Sequence, residues 1–221
     1  MTAAARAGLV LFDLDGTLAH TAPDLIGAAH ALREELGCAK IADEQVAPAV
    51  RDGGAAIVRA ALPELPERHD ALLGRYLDLY RERIAVHTTL FPGIPETLDA
   101  LAREGVPFGI VTNKTRWLTE PLLDALGLLA RMCVVVSGDT LQQRKPDPEP
   151  VLHACRIAGV APAGTWFVGD DRRDVQAGRA AGTRTVVARY GYLPPGDDAS
   201  GWGATHVIDS AHELVALLGL R

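Results

Sequence analysis

The sequence predicts a doubly wound (Rossmann-like) α/β core on a parallel sheet, with an all-helical cap inserted into it. Three observations carry this. From Phe91 onward, short apolar runs without polar alternation are separated by stretches of helical periodicity, the pattern of strands buried on both faces. Between residues 19 and 87 the apolar residues recur at helical spacing only. Polar residues able to do chemistry stand where several of the apolar runs end, the carboxyl edge at which open α/β sheets bind ligands. The expected organisation is a core from residues 1–18 and 88–221 and a cap from 19–87.

The first strand enters from the apolar run Leu9-Val10-Leu11 and is expected to extend into Phe12-Asp13-Leu14-Asp15-Gly16-Thr17-Leu18, with both acids at its end. A helix then starts near Thr21 and Pro23, carries Leu25, Ile26, Ala29, Leu32 and Leu36 on one stripe, and stops at Gly37. A second helical stretch ends near Val50, Arg51-Asp52-Gly53-Gly54 breaks the pattern, and Ala55 to Leu62 resumes it. Pro63 and Pro66 mark a turn before a last cap helix with Leu72, Leu73, Tyr76, Leu79, Tyr80 and Ile84 on one side. The core resumes with a helix near 95–104, the strand 108–112, a helix near 118–126 and the strand 133–136. A helix over 149–158, the strand 165–170 and a helix over 174–181 come next. The strand 185–188, a Gly- and Pro-rich loop, the short strand 206–208 and a closing helix complete the chain.

Composition narrows the function classes. A chain of 221 residues with 48% hydrophobic content can bury a real core, and a net charge of −6 without a basic run argues against a nucleic-acid partner. A small diffusible substrate fits better. Cys38, Cys133 and Cys155 are odd in number and far apart, which predicts neither a disulfide framework nor a zinc site, and a reducing cytoplasm is the expected location. No leader or membrane-spanning run is read, so no membrane partner is expected, and the protein is expected as a monomer or homodimer. His87, His153 and His206 are isolated and read as structural, and Trp117, Trp166 and Trp202 as packing residues.

The chemistry starts at Asp13 and Asp15, two carboxylates separated by one residue at a strand end and expected on one face. Gly16 allows a tight turn with its amides near an anion, and Thr17 adds a hydroxyl. A calcium loop is excluded, because no glutamate closes a twelve-residue loop after these acids. The later strands deliver Thr112-Asn113-Lys114, then Lys145-Pro146-Asp147-Pro148, then Gly169-Asp170-Asp171 with Asp174 one turn further. Asp13, Asp15, Asp170, Asp171 and Asp174 would crowd up to five negative charges together, and a like-charged pair at ~4 Å costs about 4 kcal/mol at an effective dielectric near 20. One lysine does not offset that. A hard divalent cation does, and an all-oxygen donor set with a phosphate in its shell suits Mg²⁺, leaving Asp13 ionised as a nucleophile. Taken singly, Thr112 also reads as a helix cap, Lys145 as a surface lysine and Asp174 as an acid favoured by a helix dipole.

These four segments, in this order and with helices after the first, resemble the haloacid dehalogenase-like superfamily of phosphohydrolases over essentially the whole chain. The resemblance implies that Asp13 attacks phosphorus to form an aspartyl-phosphate, and that Asp15 protonates the leaving oxygen and later deprotonates water. It implies that Thr112 and the Asn113 amide bind phosphoryl oxygens and that Lys145 neutralises charge on nucleophile and phosphate. Mg²⁺ is then held by Asp13, Asp170 and the backbone carbonyl of Asp15, with Asp171 and Asp174 completing or orienting the shell. Arg51, or the amides of Gly53 and Gly54, would read the leaving group, with a solvated turn as the alternative.

The helical cap is further similar to that of the phosphoglycolate phosphatases of that superfamily, and the stretches 52–55, 85–87, 145–150, 169–171, 189–192 and 202–204 are similar to its N-acetylmuramic acid 6-phosphate phosphatases, which commonly carry the phosphoglycolate phosphatase name. Arg51-Asp52 departs from the smaller, less charged entry to the glycine pair found there. A phosphomutase of the β-phosphoglucomutase branch uses the same core, and a binding module that kept the fold is the non-enzymatic alternative.

Overall fold

A computed structural model describes residues 7–194 and 196–220. In chain order its strands are β1 (Leu9–Phe12), β2 (Ala19–His20), β3 (Thr89–Leu90), β4 (Phe108–Val111), β5 (Val135–Val136), β6 (Thr165–Gly169), β7 (Arg184–Ala188) and β8 (His206–Ile208). The α-helices are α1 (Ala22–Glu35), α2 (Asp43–Val46), α3 (Gly54–Ala61), α4 (His69–Glu82), α5 (Ile94–Arg103), α6 (Arg116–Ala125), α7 (Glu149–Ala158), α8 (Arg172–Ala181) and α9 (Glu213–Leu217). The chain divides into two compact units, His20–Thr89 and the remainder.

The larger unit is built on a six-stranded sheet in the order β5-β4-β1-β6-β7-β8, with every adjacent pair parallel. β1 lies at its centre, Val10 opposite both Phe108 and Trp166 and Phe12 opposite both Ile110 and Val168. Strand order runs outward one way through β4 and β5, then reverses through β6, β7 and β8. That reversal opens a crevice at the carboxyl end of β1, where α/β sheets place their ligands. All four β1 residues are fully buried, because side chains alternate between two covered faces. Leu9 and Leu11 join Phe167 in packing against Val151, Ala154 and Ala177 of α7 and α8. Full burial of a side chain such as Leu9 or Leu11 contributes roughly 1.5–3 kcal/mol.

Three differences from the sequence reading have physical causes. β1 ends at Phe12, one residue before Asp13. The Asp13 amide still donates to Val168 O at 2.9 Å, but the chain then curls so that Leu18 and Ala19 both donate to Leu14 O. The rule that side chains two apart share a strand face therefore stops short of the two acids. Second, Ala19–His20, where helix alone was expected, and Thr89–Leu90, where no element was assigned, pair as a two-stranded ribbon; strands of two residues are too short to show alternation. Third, β5 is shorter than the expected 133–136 because it forms the sheet edge, paired on one side only.

The unit His20–Thr89 is helical. The stretch before Gly53 divides into α2 and a 3₁₀ turn, Ala47–Asp52, that opens with Pro48, which has no amide to donate. Tyr76 and Tyr80 of α4 are fully buried, and Tyr76 Oη donates to Leu25 O of α1 at 3.2 Å. Asp24 is also buried; its carboxylate accepts from the amides of His87 and Thr88 and from Thr88 Oγ1, tying the returning chain to α1. Trp166 and Trp202 are buried as expected, with His206 stacked on Trp166 at 5.6 Å. Trp117 differs. It lies at the start of α6 with 44% of its surface exposed, so core packing does not account for it.

Candidate active site

The carboxyl ends of β1, β4, β5 and β6 supply the polar side chains of the crevice. Asp13 follows β1 and Asp170 follows β6, whose parallel register with β1 brings them side by side. Asp174 sits on the first turn of α8. One carboxylate oxygen from each of these three buried residues lies within 4.8 Å of the others. Lys145, in the loop after β5 and only 5% exposed, places its Nζ 2.7 Å from Asp13 Oδ1 and 2.7 Å from Asp174 Oδ1. It donates a well-directed hydrogen bond to Asp13. Its approach to Asp174 Oδ1 is close but poorly directed, which leaves that buried oxygen without a hydrogen bond.

Each of these groups is held from behind. Asp170 Oδ1 accepts from Thr17 Oγ1 at 2.8 Å and Oδ2 from the Tyr192 amide at 2.8 Å, so the Thr17 hydroxyl expected on substrate is engaged with a carboxylate. Gly16 has a positive φ of 84°, and a Cβ there would strike the Asp170 carboxylate; only glycine lets the turn pass so close. Asp174 Oδ2 accepts from the Asp171 amide at 3.0 Å. The Asp171 carboxylate turns the other way and caps α8, accepting from the Arg173 amide at 2.8 Å and from its guanidinium. The Asp171 side chain is thus not in the acidic cluster.

Thr112 is buried, and its Oγ1 accepts from the Lys114 amide at 3.2 Å. The Asn113 side chain clamps Lys145, donating from Nδ2 to Lys145 O at 3.0 Å while Oδ1 accepts from Lys145 N at 3.1 Å. Asp15 separates from Asp13: its two carboxylate oxygens accept from Lys114 Nζ at 2.9 and 3.0 Å. Lys114 had no role in the sequence reading, although it stands directly after Thr112-Asn113. Its contact spans 99 positions of chain, and no local pattern announces it. Tyr190 and Tyr192 were likewise unassigned; Tyr190 Oη donates to Thr17 O at 3.0 Å. Arg51, Gly53 and Gly54 belong to the helical unit. Arg51 and Asp52 end its 3₁₀ turn, Gly53 has a positive φ of 84° as N-cap of α3, and a Cβ on Gly54 would press on Tyr76 and Leu77 of α4.

The electrostatics show what this cluster lacks. Burial raises the Asp170 carboxyl well above its usual range, and the neighbouring Asp13 and Asp174 raise it further. Burial also pushes Asp174 up, to about 7, against the pull of Lys145. Burial pulls the Lys145 amine down, but Asp13 and Asp174 more than reverse this and hold it above its ordinary value. One ammonium among three buried carboxylates is a deficit of positive charge. The donor set is all oxygen and preformed, and Asp174 Oδ1 lacks a hydrogen bond. These residues fit a hard divalent cation such as Mg²⁺.

Comparison with known proteins follows the same line. Residues 10–188 match the haloacid dehalogenase-like hydrolase family. The N-acetylmuramic acid 6-phosphate phosphatase of Pseudomonas aeruginosa is 41% identical over 216 residues, covering 96% of this chain and 95% of that protein. The phosphoglycolate phosphatase of Chromobacterium violaceum is 39% identical over 217 residues, covering 95% of each. The crystal structure of a predicted phosphoglycolate phosphatase from Haemophilus somnus 129pt aligns with a TM-score of 0.85 at 24% identity, covering 96% of this chain and 98% of that one, which shows a shared fold. The match over most of its length, together with the relatives near 40% identity, shows that this chain belongs to the haloacid dehalogenase-like hydrolases.

Proposed function

We propose that this protein is a Mg²⁺-dependent phosphatase that hydrolyses a small phosphomonoester through an aspartyl-phosphate on Asp13. The observation that carries the reading is Asp13 itself: a buried carboxylate with Lys145 Nζ at 2.7 Å, in a cluster with Asp170 and Asp174 that fits a cation. The 41% identical relative is named as a phosphatase of an amino-sugar phosphate and the 39% identical one as a phosphatase of phosphoglycolate. Both names describe phosphomonoester hydrolysis.

In this reading Asp13 Oδ attacks phosphorus and the ester P–O bond breaks. The departing oxygen takes a proton from Asp15, which becomes the carboxylate. Water then attacks the same phosphorus and gives a proton back to Asp15, and the bond between phosphorus and Asp13 breaks, releasing phosphate. Lys145 holds the nucleophile and offsets charge on the phosphoryl oxygens, while Thr112 and the Asn113 amide bind those oxygens. Asn113 also keeps Lys145 in place through its side chain. Bound Mg²⁺, held by Asp13, Asp170, Asp174 and the Asp15 carbonyl, supplies compensation for the charge that builds on the phosphoryl group. On sequence position, Arg51, Gly53 and Gly54 are assigned to the leaving group. The setting is cytoplasmic and the substrate a small phosphorylated metabolite.

The test measures phosphate release from p-nitrophenyl phosphate, 2-phosphoglycolate and N-acetylmuramic acid 6-phosphate, with Mg²⁺ and with EDTA, and ranks the natural esters by kcat/KM. Mg²⁺-dependent turnover together with an acid-trappable phosphoenzyme is expected. Turnover unaffected by EDTA, or a protein never phosphorylated during turnover, would count against the reading.

A further inference from the structure

We infer that Lys114 is a positioning residue for Asp15, and that through Asp15 it sets the rate at which the phosphorylated enzyme is hydrolysed. The inference deepens the proposed function and rests on it. Lys114 is built in rather than draped over the surface: its side chain is 7% exposed, and Nζ donates to both oxygens of Asp15, at 2.9 and 3.0 Å. Its backbone is fixed at both ends of the residue. The amide donates to Thr112 Oγ1 at 3.2 Å, and the carbonyl accepts from Gly138 N at 2.7 Å and from Thr119 Oγ1 at 3.2 Å. Gly138 also admits the approach of Asn113, since a Cβ there would collide with the Asn113 carbonyl.

Two lysines are therefore divided between the two acids of one loop. Lys145 serves Asp13 and Asp174, and Lys114 serves Asp15. An ammonium that engages both oxygens of a carboxylate fixes its orientation as well as its place. Asp15 lies beyond the end of β1, between a bend at Leu14 and the turn that starts at Gly16, and the lysine fixes its side chain so that one oxygen can meet a water molecule. Proton transfer tolerates little misplacement, and an error near 1 Å can cost about 100-fold.

A double-mutant cycle separates this role from direct phosphate binding or simple structural support. The parent, Lys114→Met, Asp15→Asn and the double variant are phosphorylated with p-nitrophenyl phosphate, whose leaving group departs without a proton. The burst of p-nitrophenolate reports phosphorylation, and decay of the acid-trapped phosphoenzyme reports hydrolysis. In the Asp15 background, Lys114→Met is expected to slow decay by about 10- to 100-fold while the burst persists. In the Asp15→Asn background the same change should alter decay by less than about 2-fold, since the carboxylate through which the lysine is inferred to act is gone. Equal losses in the two backgrounds, or unchanged decay in Lys114→Met, would overturn the inference while leaving the phosphatase reading intact. A parent that is never phosphorylated overturns both. If Lys114→Met fails to fold, Lys114→Leu, which also removes the donor, carries the same cycle and the same criteria.

Discussion

Asp13 and Asp15 lie two residues apart on one loop, yet Lys145 faces the first and Lys114 the second. Asp13 shares its lysine with Asp174 and stands among buried carboxylates, with a side chain 13% exposed. Asp15 has Lys114 on both oxygens and is 24% exposed. The same functional group thus stands in two different surroundings. The crowded acid calls for a cation, which suits the nucleophile of the proposed mechanism. The acid beside Lys114 is nearer to water, which suits the proton-passing role proposed for it.

The comparison can be broken most sharply at the nucleophile. Asp13→Asn should lower phosphatase turnover by at least about 10⁴-fold and abolish phosphoenzyme trapping, with the far-UV circular dichroism unchanged. Activity near that of the parent would remove Asp13 from the covalent role.

Asp15→Asn should lower turnover by about 10²- to 10⁴-fold and leave a different trace. Slow phosphorylation persists, so a burst of p-nitrophenolate appears and then stalls as phosphoenzyme accumulates. A loss of the burst equal to that in Asp13→Asn would mean that the two acids do not divide the work.

The smallest effect concerns the crowded side alone. The folded-state value of Asp174 is raised to about 7 from an ordinary 3.8, and Asp170 is also raised, so both hold their protons to higher pH than an ordinary carboxyl in the metal-free protein. For a group raised on folding, the stabilising contribution is full below the ordinary value and is lost as pH rises through the folded one. In EDTA, the Tm should therefore fall as pH rises from about 4 to about 7. Mg²⁺ needs the ionised carboxylates and should reverse the fall, so the gap between the Mg²⁺ and EDTA curves should widen by about 5 °C between pH 5 and pH 8. A gap independent of pH would show that the cluster carries no such protons.

The fold was legible because its signals are local. Apolar runs such as Leu9–Phe12 and Trp166–Val168 lack polar alternation, and strands covered on both faces are fully apolar. The helix 149–158 was readable to the residue, with Pro150 in its first turn and Gly159 in the left-handed conformation at its end. The two-residue strands β2 and β3 were not readable, since a period of two needs more than two residues to show. Nor was the end of β1 at Phe12, which depends on the turn after Asp13 folding back on Leu14.

The amino-acid sequence by itself determined the parallel α/β sheet with inserted helices, and which residue types stand at the strand ends, because periodicity and turn chemistry act over a few residues. Only the tertiary structure decided partnership: that Lys145 reaches Asp13 across 132 positions and Lys114 reaches Asp15 across 99, that Asp171 caps a helix while Asp174 joins the acids, and that Thr17 supports Asp170. The physical reason is that electrostatic and hydrogen-bond partners are chosen by distances of about 3 Å, and those exist only after parallel register has brought remote strand ends together.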